Sequence, residues 1–201
     1  MTSYVSPTPR LYLADAIPGA LLRDIVLVLS GTMVITVSAF VTIPLPFTPV
    51  PIALSTFAVM ATGAALGSLR GSLSALLYLL IGVAGAPVFS GGQSGILFPT
   101  FGYVIGFVIS AIVVGQLARI RADRRVGTAL GLGALGTLVL YGCGVPWLAV
   151  ALGVDLGQAV LLGVVPFLLG DALKVVVLSG LLSTLWRIVG RVQVDSGEPG
   201  L

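Results

Sequence analysis

The sequence predicts an all-α membrane protein of six transmembrane helices, and three observations carry that prediction. Of 201 residues, 57% are hydrophobic and only 8% are charged, where a water-soluble domain carries about 25% charged residues. Mean hydropathy is +1.16, and apolar runs near the length that crosses a bilayer core recur along the chain. The basic residues also segregate. With the N-terminus placed inside, Arg10, Arg23, Arg70, Arg119, Arg121, Arg124, Arg125, Arg187 and Arg191 all fall on the cytoplasmic side, and the three external connections hold no Lys or Arg. That split follows the positive-inside rule and requires an even number of spans.

Residues 1–22 contain Pro7, Pro9, Asp15 and Pro18 and lack the basic start, apolar core and small-residue cleavage site of a secretory signal. They are expected to form a cytoplasmic segment. The first span covers 25–43. It ends in Pro44-Leu45-Pro46-Phe47-Thr48-Pro49-Val50-Pro51, an external connection that its prolines should keep stiff and extended. The second span covers 52–66. The third, 72–83, is short and should be tilted or extended by its neighbours.

The next external connection, 82–102, is rich in glycine and contains Pro87 and Pro99, yet it also carries Val83, Val88, Phe89, Ile96, Leu97 and Phe98. Irregular backbone at membrane depth must be packed in protein or line a cavity, so this loop is expected to tuck into the external face. The fourth span covers 101–118 and the fifth 126–145. The sixth lies within 158–189, with Pro166 near its start. Residues 23–191 thus form one transmembrane domain, and 192–201 a disordered cytoplasmic tail. Small residues four apart (Gly102, Gly106 and Ser110; Ala61 and Ala65; Gly63 and Gly67) should allow close helix contacts inside the bundle. Trp147 and Trp186 read as interfacial belt residues.

Several function classes are excluded. The chain has one cysteine, Cys143, and no histidine, which removes internal disulfides, thiolate clusters and His-based catalysis or zinc binding. It has no phosphate-binding Gly-Lys-Ser/Thr loop. Catalytic residues, metal and cofactor are therefore not expected. The net charge of +3 reflects arginines that flank apolar runs, so the expected surroundings are membrane lipid and not nucleic acid.

Chemistry concentrates in Gly170-Asp171-Ala172-Leu173-Lys174. Asp171 and Lys174 are three apart and share a helix face. Ionisable groups inside a span are costly and by default face a functional cavity; the competing reading is an ion pair that fixes helix packing. Lys174 suits a carboxylate, and Asp171 suits N–H donors such as those of a urea. Further candidates are Gln93 and Gly92, in a loop whose glycines let a ligand approach the backbone, and Tyr141, late in the fifth span. Phe47, Phe57, Phe89, Phe98 and Tyr103 are candidate walls of an apolar pocket. Phe47 and Thr48 sit in the proline-rich connection, where a gate would lie.

A family resemblance then enters. Pro49-Val50-Pro51-Ile52, Thr56-Phe57-Ala58-Val59, Gly63-Ala64-Ala65-Leu66-Gly67-Ser68-Leu69-Arg70-Gly71, Leu77 to Gly82, Gly85-Ala86-Pro87-Val88-Phe89, Pro99-Thr100-Phe101-Gly102-Tyr103, and Val165 to Asp171 with Lys174 together resemble the BioY family. Members are biotin-binding S components of energy-coupling factor (ECF) transporters. The resemblance implies an S-component-like fold, an external biotin site under a lid from the first external loop, and a multi-pass place in a prokaryotic plasma membrane. It also implies partners: a transmembrane coupling protein and two ATPase subunits. The family commonly carries Gln before the residue matching Thr56, where this chain has Ser55. The coupling surface of the family uses small residues in the first span; Gly31 and Ala39 fit that pattern and Ile35 interrupts it. An ion-coupled secondary transporter using the Asp171–Lys174 pair is the alternative reading, and a membrane-embedded enzyme a third.

Overall fold

The computed structural model describes residues 21–195, with side chains described through Val189. The segment up to residue 20 with Arg10, the side chain of Arg191 and the tail from residue 196 lie outside the described residues. The described elements are α1 (Leu21–Phe40), a hairpin of β1 (Thr42–Leu45) and β2 (Thr48–Ala53), α2 (Ser55–Val83), α3 (Phe101–Arg119), α4 (Val126–Leu152), α5 (Leu156–Gly163) and α6 (Leu168–Asp195). Among the described residues, five helical stretches, the last running through α5 and α6, are long and apolar enough to cross a membrane.

The expected second and third spans belong to one helical element. α2 has 29 residues and is interrupted at Gly67, where φ is 87° and ψ 173°. A straight helix would hold Gly63 and Gly71 about 12 Å apart. Instead, a Cβ placed on Gly71 would lie 2.7 Å from the Gly63 Cα. The chain therefore reverses at Gly67, and its limbs, 55–66 and 68–83, run antiparallel with almost nothing between their backbones. A positive φ of this kind is open to glycine and costly for other residues. α3 packs into the same contact, since a Cβ on Gly63 would come within 2.9 Å of the Ala111 carbonyl oxygen. Close backbone approach of this sort is how helices associate where lipid removes the hydrophobic drive.

α1 presents much of its apolar surface outward, with Val26, Met33, Val37 and Phe40 all exposed. Its inner face is Gly31, Thr32, Ile35 and Ala39. Thr32 Oγ1 donates to the Ser74 carbonyl at 3.0 Å, and Ser74 Oγ to the Val28 carbonyl at 3.1 Å. The small residues expected to form a coupling surface thus pack inside this chain against α2, and Ile35 is wholly buried with them. The proline-rich connection is an antiparallel hairpin pairing Thr42 with Ala53 and Leu45 with Thr48. Its prolines cannot donate to a ladder, which a two-stranded ribbon with only edges tolerates.

The last expected span is broken. α5 ends at Gly163, a 3₁₀ turn spans Val165–Phe167, and α6 begins at Leu168. Pro166 lacks the N–H that a continuous helix needs and its ring opposes the preceding turn. α4 in contrast continues through Pro146 to Leu152, past the expected end at 145. It stops at Gly153 in the left-handed region, a common C-terminal device.

The arginine-bearing end is held by polar contacts. Asp24 pairs with Arg70 at 3.1 Å and with Arg23 at 3.2 Å. Trp186 is buried there, not in an interfacial belt: its indole donates to Asp123, and Arg124 stacks over its ring at 4.1 Å. Burial pushes the Asp123 carboxyl above the usual carboxylate range. This contact ties the α3–α4 loop to α6.

Candidate ligand site

The 3₁₀ turn at Pro166 places Asp171 in the first turn of α6, where a carboxylate complements the helix dipole. Lys174 follows one turn later on the same face. Its ammonium donates to Asp171 Oδ1 at 2.9 Å, to the Ala53 carbonyl at 2.8 Å and to Thr56 Oγ1 at 3.0 Å. An ammonium has three protons, so all three are engaged. The Tyr141 hydroxyl donates to Asp171 Oδ2 at 2.5 Å. The side chains of Asp171 and Lys174 are 13% and 14% exposed, which makes this a largely buried network joining β2, α2, α4 and α6.

The network closes one side of a cavity at the end of the bundle away from the arginines. The cavity opens partly to the outside. The opposing walls are aromatic. Tyr78 meets Phe89 edge-on at 5.3 Å between ring centres and stacks on Phe107 at 6.1 Å, while Phe89 and Phe98 lie 5.4 Å apart. Tyr103 completes a wall, its hydroxyl donating to the Gly163 carbonyl at 2.8 Å. Flat aromatic faces opposite a charged, hydrogen-bonding corner suit a small molecule with an apolar body and one strongly polar group.

The residues singled out in the sequence separate into two groups. Asp171, Lys174, Tyr141, Phe89, Phe98 and Tyr103 line the cavity. Gln93, Gly92, Phe47, Thr48 and Phe57 do not. Phe89 and Gln93 bridge to each other across a tight turn. Gly91 and Gly92, at φ 75° and 73°, form its exposed tip; Phe89 is buried in the core, while Gln93 is exposed. Phe47 is exposed at the hairpin turn. Thr48 is buried, but its hydroxyl donates to the Leu162 carbonyl at 2.8 Å and accepts from the Val50 N–H at 3.2 Å, which straps the hairpin to α5. Phe57 packs with Met60 and Leu178 in the neighbouring core.

Thr56, Tyr78, Phe107 and the Ala53 carbonyl belong to the site although sequence reasoning did not select them. A tyrosine inside an apolar span was the available signal for Tyr78. A backbone carbonyl offers none. Among the described residues no group of three or more His, Cys, Asp or Glu side chains is placed to hold a metal.

Comparison with known proteins gives a consistent picture. The profile of the BioY family matches residues 8–191. A biotin transporter BioY of Rhizobium etli is 33% identical over 166 residues, covering 77% of this chain and 88% of the relative. A biotin transporter BioY of Thermotoga maritima is 37% identical over 149 residues, covering 73% and 85%. The crystal structure of an S-component for biotin from an ECF-type ABC transporter superposes with a TM-score of 0.74 at 24% identity, over 83% of this chain and 92% of the other. That likeness establishes the fold.

Proposed function

The chain belongs to the BioY family, and from that membership we propose that it is the biotin-binding S component of an ECF transporter. The observation in the molecule that supports this most is the corner formed by Asp171, Lys174 and Tyr141 facing an aromatic wall. Biotin has a flat bicyclic body, a ureido group with two N–H donors and one carbonyl acceptor, and a carboxylate at the end of a methylene chain. Asp171 and Lys174 are bonded at 2.9 Å, so both meet the same end of such a ligand. They cannot at once hold the ureido group and the carboxylate, which the chain keeps well apart.

In this reading the protein binds and does not catalyse. ATP hydrolysis belongs to other chains, which we take to be two ATPase subunits acting through a transmembrane coupling protein. The test is mass spectrometry of the molecule that co-purifies in mild detergent, followed by calorimetry with biotin on the emptied protein. Recovery and rebinding of biotin are expected. Failure to bind it, together with uptake driven by a proton gradient in vesicles lacking any ATPase, would favour an ion-coupled carrier instead.

The multi-pass chain is taken to expose its arginine-bearing end and both termini to the cytoplasm. In a variant with Cys143 replaced by serine, a cysteine at Gln93 should react with a membrane-impermeant maleimide on intact cells, and one at Arg121 should not. The reverse pattern would invert the topology.

A further inference from the structure

We propose that Ser55 is a ligand-binding residue: its hydroxyl donates to an oxygen of the ligand at the start of α2. This rests on the reading of the cavity as a biotin site and adds to it a contact and a specificity element. The Ser55 side chain is 1% exposed, lines the cavity, and its Oγ has no hydrogen-bond partner among the described residues. A buried hydroxyl without a partner is costly, and natural proteins keep such groups mainly where something else satisfies them. The location strengthens the case. Ser55 is the first residue of α2, and the residue before it, Leu54, supplies no side-chain cap. The first N–H groups of a helix have no partner within it and carry a positive partial charge. Ala53, Ser55, Thr56 and Lys174 all line the cavity beside that end. The result is a pair of donors, hydroxyl and helix end, beside Lys174, whose ammonium protons are already engaged, with Asp171 the adjoining acceptor. It fits an oxygen acceptor, either the ureido carbonyl or the carboxylate.

Three ligands distinguish these two sources: biotin, an analogue with an imino group in place of the ureido oxygen, and an analogue with a methyl group in place of the carboxylate. Ser55→Ala should weaken biotin binding about tenfold, the scale of one hydrogen bond to a strongly polar partner. The thermal midpoint of the ligand-free protein should hold or rise, because an unsatisfied hydroxyl has been removed. The penalty should vanish for the analogue that lacks the contacted oxygen and persist for the other. Ser55→Cys, with similar volume but a weak donor, should reproduce the loss and guards against a packing artefact. An equal penalty for all three ligands, or a lowered midpoint with unchanged affinity, would make Ser55 a structural residue and overturn the proposal. Wild-type protein that binds no biotin would instead remove the functional reading on which it rests.

Discussion

Asp171→Ala is expected to weaken biotin binding by on the order of 30-fold to several-thousand-fold, and Lys174→Met by a similar factor. Breaking one side of a buried charged pair typically costs about 2–5 kcal/mol, and each 1.4 kcal/mol or so is a factor of ten in affinity. Much of that cost comes from the partner left behind. Without Asp171, the ammonium of Lys174 keeps the Ala53 carbonyl and Thr56 but loses its counter-charge, and the Tyr141 hydroxyl loses its acceptor. Asp171→Asn should be milder than Asp171→Ala, since an amide retains an acceptor for Tyr141. Lys174→Arg should still fail in part. A planar guanidinium cannot reach the Ala53 carbonyl, Thr56 Oγ1 and Asp171 from the one point that the ammonium occupies.

The competing account, an ion pair that only fixes α6 against α2, is separated by the double variant Asp171→Asn with Lys174→Met. Replacing a buried pair by neutral groups often leaves a fold intact. If the pair serves packing alone, that variant will elute as a single species and bind biotin with near-native affinity. If the pair meets the ligand, it will elute normally and bind poorly. Calorimetry with size-exclusion profiles reads both quantities on the same sample.

The charged corner was legible in the sequence because lipid makes it so. An Asp and a Lys three residues apart in an apolar run have few explanations, and their spacing fixes a common face. The partners that complete the corner were less visible. The Ala53 carbonyl carries no side-chain signal, and the sequence does not show that the Ser55 hydroxyl is buried without a hydrogen-bond partner. Gln93 lies exposed and off the cavity: its glycine-rich loop advertises backbone freedom, but composition does not say which side chains of such a loop are buried, and here Phe89 is. Span boundaries behaved likewise. Run length located apolar helix, while Gly67 and Pro166, which reverse or break it, act through backbone geometry that hydropathy does not sense.

The reversal at Gly67 makes Gly115 a second sensitive position. Gly115 lies on α3 where α3 meets the tip of α2, and a Cβ there would collide with backbone atoms of Ser68 and Gly67. Nearby, Gln116 Nε2 donates to Ser68 Oγ at 3.3 Å. A flexible side chain could move aside, but the backbone of a tight turn cannot without opening the turn. Gly115→Leu is therefore expected to cost at least the upper end of the roughly 1–3 kcal/mol typical of overpacking. It should lower the thermal midpoint in detergent and broaden or shift the elution profile. Binding should fall as well, because Ser55 and Thr56 lie on one limb of α2 and Tyr78 on the other; forcing the hairpin off α3 moves the site walls. Gly127→Leu and Gly131→Leu on α4 are the controls, since a Cβ at either position meets nothing within 4 Å, and both should leave midpoint and elution unchanged. Gly115→Leu with a native midpoint would show that α3 and the hairpin tip can separate at little cost, and that the close backbone contact is not what holds α2 folded on itself.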